Sequence, residues 1–340
     1  IVSIDSAAKR ISLSYREANS ENPWKEIRDK VGSMVEVTIN NITDKAIFAD
    51  LDNGLTGMLH YRELSYQEEN QDLKKFKKGQ KIKVNQDVIV HLSGKAHDFK
   101  KSSNSNAYLE ANFELTKQLF DGFLASEICE TFIFVSSVKA VADTIIEVLT
   151  EDNIPDPKTD YGISKLAAEN YILSKKLPKN KRYFILRPCM IHGPNNKGNL
   201  NLMYSMVKKK IPWPLGNYKN KRSFLSIDNF NFVVREIIKD TTLKSDIFNL
   251  ADDESLSTNN LVNLISENLN FKSKIWCMPK SLINIIAILG DFTRLPINSK
   301  RLQKLTENYE VSNEKVKNVL KIELPTSAKQ GLMKTFNSFN

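Results

Sequence analysis

Tyr161-Gly162-Ile163-Ser164-Lys165 sets a phenol and an ammonium four residues apart, on one face if the segment is helical. A phenol with pKa ~10 is a poor base at neutral pH. Lowering it by about three units takes roughly 4 kcal/mol of preference for the phenolate, and a nearby cation supplies part of that preference. A Tyr-x-x-x-Lys alone arises by chance. Here Phe134-Val135-Ser136-Ser137 closes an apolar run 24 residues before Tyr161, and Leu186-Arg187-Pro188 closes another beyond Lys165. The three together point to proton-transfer chemistry at the ends of strands, where ligand sites of open α/β sheets lie.

The elements that must hold these residues alternate. Asp87–Leu92, Thr131–Val135 and Arg182–Leu186 are uninterrupted apolar runs suited to a parallel sheet. Between them, Asn106–Ile128 and Tyr161–Leu177 carry helical spacing. The expected fold of residues 87–340 is a doubly wound, Rossmann-like α/β sheet with helices. Leu282–Leu289 is too short an apolar run to cross a bilayer and reads as a packed helix.

This part of the chain resembles the extended short-chain dehydrogenase/reductase family, nearest the sugar-nucleotide epimerases, dehydratases and 4-ketoreductases. Ser136-Ser137-Val138-Lys139, Tyr161-x-x-x-Lys165 and Arg187-Pro188 carry the resemblance, with His91-Leu92-Ser93-Gly94, Asn112-Phe113-Glu114-Leu115-Thr116, Lys197-Gly198-Asn199 and Asn220-Lys221-Arg222-Ser223-Phe224. The resemblance implies Ser137, Tyr161 and Lys165 as catalytic residues. Ser137 would hold a sugar hydroxyl or keto oxygen, and Lys165 and an oxidised nicotinamide would lower the Tyr161 pKa. It further implies NAD or NADP as cofactor, contacted by His91, Ser93, Gly94, Asn112, Tyr161, Lys165 and Pro188. The substrate implied is a nucleotide-sugar held by Ser137, by Asn199 and, at its diphosphate, by Arg222. His192 and His97 read as structural or solvated.

Such a family seats its dinucleotide on a Gly-x-x-Gly-x-x-Gly loop after the first strand. Among the twelve glycines only Gly54-x-x-Gly57 begins the pattern, and His60 stands at its third position. Asp87–Leu92 resembles the family's fourth strand. Two βαβ steps, about 60–70 residues, are thus missing before it, which implies a truncated sheet, impaired cofactor binding and an apolar strand exposed at the sheet edge.

Residues 1–86 read differently. Ser33–Ile39, Ala46–Leu51 and Gln80–Val84 alternate as half-exposed strands, and Asp52-Asn53-Gly54 turns into Thr56–His60. A small β-barrel is expected. Gly54-Leu55-x-Gly57, His60, Glu63-Leu64-Ser65 and Lys74-Lys75-Phe76-Lys77-Lys78-Gly79 make this segment resemble the RNA-binding OB-fold repeat of ribosomal protein S-one, and Ile11–Trp24 resembles the end of a preceding repeat. The resemblance implies single-stranded RNA or the ribosome as partner, with base stacking at Phe48 and His60 and phosphate contacts from Lys74, Lys75, Lys77 and Lys78. The repeat stops after Val84, one strand short. A strand copy at Ile11–Leu13 is the candidate to fill the vacancy. The expectation is a chimera, an incomplete OB-type domain (1–86) joined to an N-terminally truncated epimerase/dehydratase-like domain (87–340), through a gene fusion, a rearrangement or a sequence-assembly junction.

Charge does not decide between an enzyme and an RNA-binding reading. The chain carries +9, yet residues 1–86 hold 14 Lys+Arg against 13 Asp+Glu, so the barrel-like segment is nearly neutral. Cys129, Cys189 and Cys277 lie far apart without metal-ligand spacing, so no metal is expected, and a reduced, cytoplasmic setting fits. No apolar run reaches ~18 residues, so no membrane partner is expected; self-association stays open. The chain opens on Ile1-Val2-Ser3 with neither Met nor a signal-peptide pattern, as an internal fragment would.

Overall fold

A computed structural model describes residues 3–5, 10–12, 35–43, 46–51, 56–60, 73–84, 87–92, 94–95, 105–196, 199–293 and 298–339. The chain divides into two compact units. The smaller comprises residues 1–89, 115–130 and 177–181, and the larger residues 90–114, 131–176 and 182–340.

In the smaller unit, β1 (Ser3–Asp5) pairs with β2 (Arg10–Ser12) as an antiparallel ladder of its own. The strands β3 (Val35–Ile42), β4 (Ala46–Asp50), β5 (Thr56–His60) and β6 (Lys81–Val84) form a separate antiparallel sheet in the order β5-β4-β3-β6. Alternation works as expected here. Val37, Ile39, Ile47 and Ala49 point to one buried face, packed by Leu73, Phe76 and Ile82. Among the described residues the sheet is open, a row of four strands, and its closure into a barrel is not seen. Ile11 pairs with Ile4, not with β3 or β6, so the N-terminal strand does not complete the repeat. Closure depends on long-range pairing, which alternation cannot encode.

The larger unit is built on a sheet in the order β12-β9-β8-β7. Its strands are β7 (Val88–His91, the last two residues in this unit), β8 (Thr131–Val135), β9 (Arg182–Pro188) and β12 (Asp246–Leu250). β8, β9 and β12 run parallel, Val135 opposite Leu186 and Pro188 opposite Leu250. All five residues of β8 are buried, as expected for a strand covered on both faces. Among the described residues β7 stands at the end of that order, yet it is only partly bare: Val88–Val90 are half-buried, His91 is buried and Leu92 is exposed. A second parallel pair, β10 (Met190–His192) with β11 (Phe224–Ser226), continues from the end of β9.

Helices follow the strands. A helical run begins with α1 (Ser105–Leu109), widens to a π turn over Glu110–Glu114, and resumes as α2 (Leu115–Ala125). α3 (Asp160–Ser174) starts where Thr159 caps it, its hydroxyl accepting from the Gly162 N–H at 3.2 Å. Then come α4 (Asn199–Lys208), α5 (Ile227–Lys239), α6 (Thr258–Asn268), α7 (Lys280–Phe292), α8 (Ser299–Thr306), α9 (Glu314–Leu320) and α10 (Ala328–Asn337). Leu200, Tyr204, Trp213, Phe224, Ile265 and Phe336 anchor the core shared by α4, α6, α10 and β11. The apolar run at Leu282–Leu289 is helical, but the expected packed helix is only half correct: Ile283, Ala287 and Gly290 are buried, while Leu282, Ile285, Ile288 and Leu289 are exposed.

Candidate active site

β8 delivers Ser137. The strand ends at Val135, and Ser137 caps a short 3-10 turn, Val138–Ala140, with its hydroxyl accepting from the Lys139 N–H at 3.2 Å. α3 delivers Tyr161 and Lys165 from its first two turns. Gly162 lets that helix approach: a Cβ there would lie 2.3 Å from the Lys139 carbonyl. The Ser137 hydroxyl stands next to the Tyr161 phenol. Lys165 is buried, donates to the Val135 carbonyl at 2.9 Å and lies 4.8 Å from the centre of the Phe134 ring.

Asn112 sits on the π turn, fully buried. Its Oδ1 accepts from Lys95 N at 2.6 Å, and its Nδ2 donates to Lys95 O at 3.0 Å and to Ser164 Oγ at 2.8 Å. The Ser164 hydroxyl passes on to the Tyr161 carbonyl at 2.8 Å. The segment after β7 is thereby tied to α3. Gly94 belongs to the same junction, since a Cβ there would meet Asn112 Oδ1 at 2.8 Å and Lys165 Nζ at 3.0 Å.

Behind the site lies an ion pair that the sequence reading missed. Arg187 grips Glu169 with Nε at 3.1 Å from both carboxylate oxygens and NH2 at 2.6 Å from Oε2, and Ser136 Oγ donates to the same carboxylate. Both side chains are buried, at 4% and 0% exposure. The available signal was spacing: Tyr161, Lys165 and Glu169 recur every four residues along one helix face.

Electrostatics departs from expectation at the phenol. Burial pushes the Tyr161 pKa above its ordinary value, and the neighbouring Ser137 hydroxyl pulls it back only in part. Burial draws Lys165 down from 10.5 to about 8, opposed by the Glu169 carboxylate. Lys165 therefore does not by itself make Tyr161 a base at neutral pH. His91 stacks on Phe134 at 5.5 Å, and burial, then the Lys165 charge, hold its pKa down at about 3. It is a neutral ring in the sheet.

Pro188 closes β9. Arg222 lies on a segment bridged to Leu256 and Tyr309, close enough to Lys139 for the two charges to repel. Its NH1 donates to the Lys304 carbonyl, and its NH2 lies 3.7 Å from Glu307 Oε1. The Lys139 ammonium lies 3.9 Å from the centre of the Tyr309 ring and donates to Asp143 O at 2.7 Å. Asn199 is the first residue of α4, but its side chain lies outside the described residues, as do Ser93 and His97. His192 is buried, as a structural histidine should be, with Nδ1 2.9 Å from Thr335 Oγ1. In the smaller unit Phe48 is half-buried, the side chain of His60 lies outside the described residues, and Lys74, Lys75, Lys77 and Lys78 are exposed.

The sequence profile described as the NAD dependent epimerase/dehydratase family matches residues 59–251. The chain belongs to that family. Among curated members it is 28% identical over 266 residues to the UDP-glucose 4-epimerase of Vibrio cholerae, covering 75% of this chain and 77% of the relative. The UDP-glucuronic acid 4-epimerase of Bacillus cereus, solved in complex with NAD, superposes with a TM-score of 0.56 at 17% identity, covering 74% of each chain. That likeness shows the epimerase/dehydratase family's fold. A relative of a different kind is the small ribosomal subunit protein bS1 of Pseudomonas aeruginosa, 34% identical over 87 residues, 25% of this chain and only 15% of that protein.

The epimerase/dehydratase family implies a nicotinamide dinucleotide, and the residues fit it at one end only. Gly94, whose missing Cβ leaves room beside Asn112 and Lys165, lies with Ser137, Tyr161 and Pro188 at the carboxyl ends of β7, β8 and β9 or on the adjoining α3, where this fold takes ligands. The phosphate end has no matching Gly-x-x-Gly-x-x-Gly anywhere in the 340 residues.

Proposed function

We propose that the chain handles a UDP-sugar at C4, in the manner of the sugar-nucleotide epimerases, dehydratases and 4-ketoreductases, with Ser137, Tyr161 and Lys165 as its catalytic residues. The observation that carries this reading is that Ser137 and Tyr161 are neighbours, with Lys165 one turn further along α3. Ser137 holds the sugar oxygen, and Tyr161 Oη exchanges the proton with it. Lys165 and Asn112 fix the helix that presents the phenol. Arg222 meets the diphosphate, for which a planar guanidinium fork is suited. NAD or NADP, when bound, accepts and returns a hydride; Tyr161, Lys165, Asn112, Gly94 and Pro188 would border its reacting end. Without a glycine-rich phosphate cradle, dinucleotide affinity is expected to be weak. The test is to incubate the chain with millimolar NAD and UDP-glucose or UDP-N-acetylglucosamine and follow the sugar C4 signals by NMR. Turnover abolished by Tyr161→Phe supports the reading; no turnover at saturating dinucleotide refutes it.

A second reading concerns the first 86 residues, favoured by the similarity to bS1 and by the four exposed lysines between Lys74 and Lys78. This segment is a partial OB-type module that binds single-stranded RNA, joined to the catalytic part near Asp87. Binding of an oligonucleotide that weakens as salt rises, and is lost on changing Lys74, Lys75, Lys77 and Lys78 to Gln, would support it.

A further inference from the structure

The outer face of α7 is apolar without being covered. At about 100° per residue, Leu282, Ile285, Ile288, Leu289 and Phe292 fall within an arc of about 120°. They are 42%, 55%, 54%, 55% and 87% exposed. The buried residues Ile283, Ala287 and Gly290 occupy the opposite arc. Trp276, 54% exposed, precedes the helix by one turn's length of chain. So contiguous a patch of large apolar side chains marks an interaction surface rather than chance exposure.

Charge identifies what the surface fits. Residues 272–304 hold seven basic side chains (Lys272, Lys274, Lys280, Arg294, Lys300, Arg301, Lys304) against one acid, Asp291. Lys272, Lys274 and Lys280 are exposed before or at the start of α7. α8 lies against α7, with Ser299 N donating to Asp291 Oδ1 at 3.0 Å, and brings exposed Arg301 and Lys304 alongside. Two copies of a face so positively charged repel one another. An apolar stripe with Trp and Phe at its ends and lysines around it suits the boundary between headgroups and acyl chains. At 13 residues α7 is about 20 Å long, too short to span ~30 Å of hydrocarbon, so it would lie along the surface.

We propose that α7, with the basic residues that flank it, docks the protein on an anionic membrane surface. The basic flank of this face adjoins Arg222, whose guanidinium donates to the Lys304 carbonyl near the end of α8.

The test is co-sedimentation of the full chain with vesicles of phosphatidylcholine alone or with phosphatidylglycerol, at low and high salt. Binding is expected only to the phosphatidylglycerol vesicles, weakening with salt. The double variant Ile285→Ser/Leu289→Ser should reduce partitioning at least tenfold. Its melting temperature should not fall, because both side chains are exposed. Each of Lys272→Gln, Lys274→Gln and Lys280→Gln should weaken binding about fivefold. A blue shift of tryptophan fluorescence on vesicle addition should vanish in Trp276→Phe. Partitioning that is absent, indifferent to lipid charge or unchanged in the double variant overturns the proposal. So does sedimentation equilibrium showing a dimer that the double variant dissolves.

Discussion

Replacing Lys165 by methionine should leave the fold at least as stable at neutral pH as the wild type. Burial draws the Lys165 pKa from 10.5 to about 8. At pH 7 the lysine is protonated in both folded and unfolded chains, so the folded state carries the whole penalty, about 3 kcal/mol at ~1.4 kcal/mol per pKa unit. Methionine has a similar length and no charge to desolvate. Against this gain, the Val135 carbonyl loses its donor at 2.9 Å, a cost of about 1–3 kcal/mol. The variant should therefore be between equal to wild type and about 2 kcal/mol more stable at pH 7. The sharper test is pH dependence. Between pH 8 and 10.5 the folded lysine has released its proton while the unfolded one retains it, so the unfolded state binds more protons and wild type gains stability as pH rises. The stability difference should move towards wild type by about 3 kcal/mol, enough to reverse its sign, most of it by pH 10, in urea titrations of both proteins at pH 7, 8, 9 and 10. Groups common to both cancel in the difference. A gap that does not change with pH would refute a desolvated ammonium at this position.

His91, held down at about pKa 3, stays neutral in the fold while the unfolded chain protonates near 6.5, so wild type should lose stability as pH falls through that window. His91→Phe should lack a loss of about 3 kcal/mol between pH 7 and 4.5, measured by urea titration. Glu169→Gln leaves the Arg187 guanidinium buried without its carboxylate and should cost about 3–5 kcal/mol, most of it recovered in Glu169→Gln/Arg187→Met. Glu307→Gln removes the acid facing Arg222 at 3.7 Å and should tighten UDP binding several-fold by calorimetry, leaving uridine binding unchanged.

What was legible in the sequence is what local pattern encodes. β8 and β9 were readable because strands buried on both faces are apolar without interruption, and α3 because Thr159, Gly162 and the four-residue repeat mark its start and its face. Tyr161, Lys165 and Ser137 followed from those elements. The π turn at Glu110–Glu114 escaped notice, since one wider turn barely disturbs a 3.6-residue period. The Arg222–Glu307 contact joins residues 85 apart in sequence, and no local signal announces it. α7 was readable as a helix, but an apolar run does not say which of its faces finds a partner. Closure of the small sheet was not legible for a related reason. Alternation sets the inner face of each strand, while closure depends on an edge partner that β6 does not find among the described residues.

Geometry and protonation at the site are set by different parts of the chain. Ser137 is placed by the end of β8, and Tyr161 by the cap at Thr159 and the close approach at Gly162. Asn112 and the Arg187–Glu169 pair hold α3 from its two sides, and none of these contacts uses the strands that the family places before β7. The placement of Ser137, Tyr161 and Lys165 is therefore assembled within residues 90–190. The charge state is not. The phenol stands above its ordinary pKa and Lys165 below its own, so at neutral pH Tyr161 is a hydrogen-bond donor rather than a base. Turning it into a base requires a further positive charge close to Tyr161 Oη, because the cation already built in is spent on the Val135 carbonyl.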